Sequence, residues 1–136
     1  MSEDNVSMVR RNYEAHARGD SATIAAILHP QIDVYQCEHL PWGGHYQGHA
    51  GAREFFRRQS EHIDSQVVPE EMIDAGGSVA VTGRLRGQVR STGRAFDLMV
   101  VHIWTVRDGQ IVRFEAYTET PRLLRALASQ PTLTEL

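Results

Sequence analysis

Phe96-Asp97-Leu98-Met99-Val100-Val101-His102-Ile103-Trp104-Thr105-Val106 is the stretch around which the chain organises itself. Its β-branched and aromatic residues favour a strand. It stops at Arg107-Asp108-Gly109, where Asp-Gly specifies a tight hairpin turn. Side chains two apart on a strand share a face. Val100, His102, Trp104 and Val106 therefore look one way, and Met99, Val101, Ile103 and Thr105 look the other. Neither set has the polar alternation of a solvated sheet face, so both are expected to be covered. The first set holds an imidazole, which needs a hydrogen-bond partner, a water or a ligand once buried. That face is predicted to line a pocket.

Working outward, the period stays at two on both sides of this strand. Gln110 to Thr118 is predicted as the next strand. Ser78 to Val89 precedes it, with Gly83 and Gly87 marking a bend or bulge. Val67 to Asp74 is another strand, ended by Ala75-Gly76-Gly77. Upstream the period changes. Val6, Val9, Tyr13 and Ala17 recur at spacings of three and four, one stripe of a helix that Gly19 ends. Oxygens in Ser2-Glu3-Asp4-Asn5 supply its N-cap. Asp20 or Ser21 caps a second helix from Ala22 to Leu28, stopped by Pro30. Ile32 to Cys37 is a strand, Glu38 to Gly48 a glycine-rich loop, and Gly51 to His62 a third helix with Ala52, Phe55, Phe56 and Gln59 inward. Thr120 is predicted to cap a short helix over Pro121 to Ala128. Ser129 to Leu136 reads as a tail. Helices segregated against one antiparallel sheet make an α+β domain over residues 1–128. The bent sheet, with three helices on its concave side, forms a cone with a pocket at its mouth.

Composition narrows the function. With 136 residues the chain suits one domain with a real core, and 41% hydrophobic against 23% charged residues is ordinary for a globular protein. Net charge is −3, without a basic stripe, which excludes nucleic acid as the expected partner. Acidic residues in the first twenty positions and the lack of a long apolar block speak against a signal peptide or a membrane span. The lone Cys37 cannot form an internal disulfide. A cytoplasmic location is the expectation. Cys37, Glu38, His39, His45 and His49 cluster in sequence, but without a standard zinc spacing, so no metal is expected. The loop histidines are read instead as solvated groups that gate the pocket. Trp42 and Tyr46 either lid the pocket or pin the loop.

Four short blocks carry a family resemblance: Tyr13-Glu14-Ala15 with Arg18-Gly19-Asp20; Leu40-Pro41-Trp42-Gly43-Gly44 with Tyr46-Gln47-Gly48; Glu54-Phe55-Phe56; and His102 through Phe114. In this order and spacing they resemble the SnoaL-like branch of the nuclear transport factor 2-like superfamily, which includes ketosteroid isomerases, polyketide cyclases and limonene-epoxide hydrolase. The resemblance implies a hydrophobic cone cavity and a homodimer paired through the face that holds Arg113, Glu115 and Tyr117. The isomerase base position falls near Gln36, which is no base at neutral pH. The isomerase tyrosine falls near Asn12, with Tyr13 beside it, and the strand acid falls on His102. Steroid isomerisation by that set of residues is not expected. The resemblance implies cofactor-independent acid/base chemistry on a small apolar carbonyl or polycyclic compound, as an isomerase, cyclase or hydrolase. His102 is the candidate catalytic group, with an ordinary imidazole pKa suited to proton transfer near neutrality. Asn12, Tyr13, Gln36, Trp42, Phe55, Val100, Trp104 and Phe114 are the candidate substrate-binding residues, and no cofactor is expected. The alternatives are a non-catalytic binder of a small hydrophobic ligand and a dimeric interaction module with a vestigial pocket.

Overall fold

The computed structural model describes residues 4–128. The expected tail and the first residues of the N-terminal cap lie outside that range. Helices α1 (Asn5–Ala17) and α2 (Ser21–Ile27) lead into strand β1 (Leu28–Gln36), then β2 (Gly44–Gln47) and helix α3 (Gly48–His62). Strands β3 (Ile63–Asp74), β4 (Ser78–Val89), β5 (Ala95–Arg107) and β6 (Gln110–Thr118) follow, and α4 (Thr120–Leu127) closes the described chain. One curved six-stranded sheet has the order β2-β1-β6-β5-β4-β3. All its pairs are antiparallel except β1 with β6.

The local signals act as chemistry requires. The Asp4 carboxylate accepts from Ser7 N–H at the start of α1, and Asp20 accepts from Thr23 N–H at the start of α2. Asp108 and Gly109 both have positive φ, 51° and 76°, which makes the β5–β6 connection a tight left-handed turn. Gly83 faces β3 so closely that a Cβ would lie 2.4 Å from Val68 O. The β3–β4 register shifts between Pro69 and Glu71, beside that approach.

Several boundaries differ from the expectation. β1 begins at Leu28 and runs through Pro30, because the residues before it need only pair at the strand's far end: Leu28 faces Ile111, and regular pairing with β6 resumes at Asp33. The expected loop contains β2, which pairs with β1 from Asp33 to Gln36, and α3 starts directly after it. β3 begins at Ile63, four residues early, since its first half pairs with β4 from Val89 back to Gly83. Glu119, not Thr120, stands at the N-cap of α4, with no side-chain cap bond.

The core lies between the sheet's inner face and the helices. Leu98, Val100, His102 and Trp104 of β5 are buried there with Val79, Val81 and Leu85 of β4, Phe114 of β6 and Val34 of β1. α1 contributes Met8, Val9, Asn12 and Ala15, a stripe rotated from the expected one, with Ala17 left exposed. The outer face is not covered, contrary to the expectation that both faces of β5 are. Met99 is 57% exposed, and Tyr117 of β6 and Ile73 of β3 are 45% and 47% exposed. Among the described residues these apolar side chains stay exposed, so their apolar character serves something other than the folding core.

Replacing Gly83 with Ala is expected to lower stability by about 1–3 kcal/mol, since its methyl group meets the β3 backbone rather than a flexible side chain. Urea denaturation of the variant against the parent measures this, and an unchanged midpoint contradicts the close approach.

Candidate functional site

Three side chains from α1 and β5 form a directed chain of hydrogen bonds. Trp104 Nε1–H donates to Tyr13 Oη at 2.9 Å. Tyr13 Oη lies 2.6 Å from His102 Nδ1. An indole only donates, so the Tyr13 oxygen accepts from it; that oxygen keeps a second lone pair as well as its proton, so the bond to His102 Nδ1 runs in the direction the imidazole tautomer sets. In the tautomer that carries the ring proton on Nε2, His102 Nδ1 accepts the Tyr13 proton and Nε2–H is left for a ligand. The rings reinforce the geometry. Tyr13 and His102 are parallel within 5° at 5.9 Å, and Phe114 stands edge-on to His102 at 5.0 Å. Trp104 and Phe114 stack at 4.2 Å.

Burial keeps this chain neutral. It pushes His102 down to about 4 and raises the Tyr13 phenol well above its ordinary value. The imidazole is thus uncharged at neutral pH, whereas the sequence suggested a group titrating near neutrality. In its neutral form one ring nitrogen donates and the other accepts.

Asn12, one residue from Tyr13, is 2% exposed and lines a cavity of about 20 Å³ with Trp104, Phe114, Phe56, His16 and Val34. His102 does not line it and lies behind the Trp104–Phe114 wall. Val100 is buried two residues along β5, and Phe55 packs edge-on to Phe114 at 6.3 Å. The structure thus gathers Asn12, Tyr13, His102, Trp104 and Phe114, with Val100 and Phe55 supporting them.

Gln36 and Trp42 form a second unit. Strand register sets Gln36 beside Ala116, which in turn faces His102. Trp42 Nε1–H donates to Gln36 Oε1 at 2.8 Å, and Trp42 is fully buried. Trp42 therefore pins the β1–β2 connection and is no lid, and the Gln36 oxygen is already engaged. Tyr46 Oη–H donates to Trp42 O and accepts from Arg58, completing the anchor. The loop histidines do not gate the pocket as a group. His49 Nε2 bonds the Leu28 carbonyl at 2.8 Å, and His45 packs on Tyr35 at 4.8 Å. Asp33 is exposed on β1 opposite Arg113, and Asp97 pairs with Arg84 and Arg86. Neither carboxylate faces the core. The role of His16 beside Phe56, edge-on at 4.5 Å, was not signalled by the sequence, because its place at the cavity depends on α3 packing across α1.

This geometry sits on a fold with known relatives. The model of the SnoaL-like domain family matches residues 9–114, and the chain belongs to that family. Among solved structures it is similar to an NTF2-like protein from Burkholderia thailandensis E264, at 33% identity and TM-score 0.83 over 90% of this chain and 96% of that one. An NTF2-like protein of unknown function from Burkholderia pseudomallei K96243 matches at 29% identity and TM-score 0.84, covering 93% and 99%. TerC, co-crystallised with polyporic acid, matches at 27% identity and TM-score 0.82, covering 90% and 97%. No curated protein matches the chain.

The His102 shift has a stability consequence. The unfolded chain takes up the imidazole proton below about pH 6.5, and the folded chain only below about pH 4. Between those values the unfolded state binds more protons, so stability rises with pH across the window. Its His102-dependent part amounts to about 3 kcal/mol lost on going from pH 7 to pH 4. Denaturation midpoints measured across this range in parent and His102→Gln should show that slope only in the parent.

Proposed function

We propose that this SnoaL-like protein acts without a cofactor on a small, mainly apolar carbonyl or polycyclic compound held inside the cone. The single observation that carries the reading is the Tyr13–His102 bond: a buried, neutral imidazole engaged at Nδ1, to which this reading assigns the tautomer with a free Nε2–H. A carbonyl oxygen placed at Nε2 accepts that hydrogen bond. As an α C–H bond breaks and its proton passes to water, negative charge gathers on the oxygen and the bond strengthens. Complete transfer of the Nε2 proton would draw the Tyr13 proton onto Nδ1 and leave a buried tyrosinate, which the raised Tyr13 pKa opposes. His102 therefore polarises the substrate, and Tyr13 and Trp104 act as positioning residues. The co-crystallisation of TerC with polyporic acid supports an organic ligand for this kind of fold. A second reading, a non-catalytic binder of a small hydrophobic ligand, is favoured by one fact. The buried polar side chains among the described residues are Asn12, Gln36 and His102, none of them a carboxylate base.

The partner we propose is a second copy of this chain, seated on the outer sheet face. Strand register sets Val101 opposite Tyr117, and lines up Ile73, Ala80 and Ile103 across three strands. With Met99 they form an apolar field edged by both charges, with Arg84 paired to Asp97 and Arg113 paired to Glu115. A self-complementary patch of this kind suits a twofold interface.

Two measurements test these proposals. In D₂O with a bicyclic ketone such as 2-tetralone, the protein should speed α-proton exchange and shift the His102 and Trp104 ring N–H resonances. His102→Gln should lower the exchange rate about 100-fold, with Tyr13→Phe in between. Shifts without exchange establish the binder instead, and no shifts at all remove both readings. Light scattering should find a dimer that Met99→Glu converts to a folded monomer; a monomeric parent overturns the paired face.

A further inference from the structure

The buried amide of Asn12 has a specific deficiency. Among the described residues, its Oδ1 is the one fully buried side-chain oxygen or nitrogen without a hydrogen-bond partner. Folded chains rarely leave a buried acceptor in this state, because its water has been stripped and nothing has replaced it. The atom belongs to a residue lining the interior cavity, whose volume of about 20 Å³ is on the scale of one water. That cavity is nevertheless a poor place for water. Apart from Asn12 and His16 its walls are apolar, whereas an ordered interior water makes two to four hydrogen bonds. Trp104, which might have donated to a neighbour, has spent its N–H on Tyr13.

The surroundings describe what would satisfy the amide. Phe114 and Trp104 are stacked flat at 4.2 Å on one side, and Phe56 stands at another. A ligand for this cavity needs an apolar, planar body and one O–H or N–H at the end that reaches Asn12. The route by which it enters is equally specific. His16 is exposed and Phe56 is half-buried, and their rings meet edge to face at 4.5 Å beside the cavity. A ligand larger than this cavity would have to displace these two side chains on entry.

From this we infer that the interior ligand of this protein is a hydroxylated aromatic or enolic compound, and that Asn12 Oδ1 is the specificity-determining acceptor for its hydroxyl. The inference rests on the proposed interior ligand site and adds to it the class of compound. The enolic form of a carbonyl compound supplies the hydroxyl that Asn12 lacks, while His102, which does not line this cavity, takes no part in holding it there.

The test compares three probes of one shape: 2-naphthol, which donates a hydrogen bond, 2-methoxynaphthalene, which only accepts, and naphthalene, which does neither. Binding to the full chain is followed through the Trp104 indole N–H resonance. The parent should bind 2-naphthol about tenfold tighter than either other probe, the margin of one ordinary hydrogen bond. Asn12→Leu should abolish that margin while still binding naphthalene. Because it removes an unpaired buried acceptor, its melting temperature should not fall below the parent's. Phe56→Ala should tighten all three probes and keep the preference. Equal binding of the three by the parent overturns the acceptor role while leaving the interior site standing, as does a preference for 2-methoxynaphthalene or a margin that survives Asn12→Leu. Failure of all three probes in both parent and Phe56→Ala overturns the interior site itself, and this inference with it.

Discussion

The hydroxyl of Tyr13 is where helix and sheet are tied together. It accepts from Trp104 and is hydrogen-bonded to His102 Nδ1, so one oxygen on α1 joins two inner positions of β5. The Trp104 bond has only one workable direction, because the indole cannot accept. A buried polar network is stabilising only when its members are satisfied. Here the demand for satisfaction fixes the rotation of α1 over the sheet. It also places Asn12, the next residue along, inside the core with an acceptor still open.

The rest of the interior serves that arrangement. Phe114 stacks on Trp104 and meets His102 edge-on, so the aromatic rings hold the hydrogen-bonded chain in place and exclude water from it. Exclusion of water is what keeps the imidazole neutral and the phenol protonated. At the far side, Trp42 and Gln36 satisfy one another and anchor the β1–β2 connection through Tyr46 and Arg58. The two indoles each donate to one buried partner but differ in consequence. One secures a loop, and the other ties the first helix to the central strand through Tyr13.

Much of this was legible in the residues. The period-two run from Phe96 to Val106, its Asp-Gly turn and the stripe on the first helix state the element types, because alternation and helical spacing are local properties of the chain. The inward face of β5, with Val100, His102 and Trp104, follows from alternation alone and is buried as expected. The misplaced elements are those whose formation depends on a distant partner. β2 is a strand because β1 lies beside it, and β1 runs through Pro30 because it reaches toward Ile111 on β6. The openness of the outer face was equally illegible, since a strand with apolar residues on both sides looks the same whether its second face meets a helix, another chain or solvent.

By itself, then, the sequence determined the strand and helix types, the side of β5 that turns inward, and a family resemblance that the match over residues 9–114 places on firm ground. Only the tertiary structure decided the chemical state of the site. The hydrogen-bond partner of His102 is a tyrosine on another element, itself bonded by an indole two residues away on the histidine's own strand, and its acidity is set by burial. The pairing of Gln36 with Trp42 and the open acceptor on Asn12 were decided in the same way. The physical reason is that hydrogen-bond direction and desolvation are properties of assembled neighbours, whereas periodicity belongs to the chain alone.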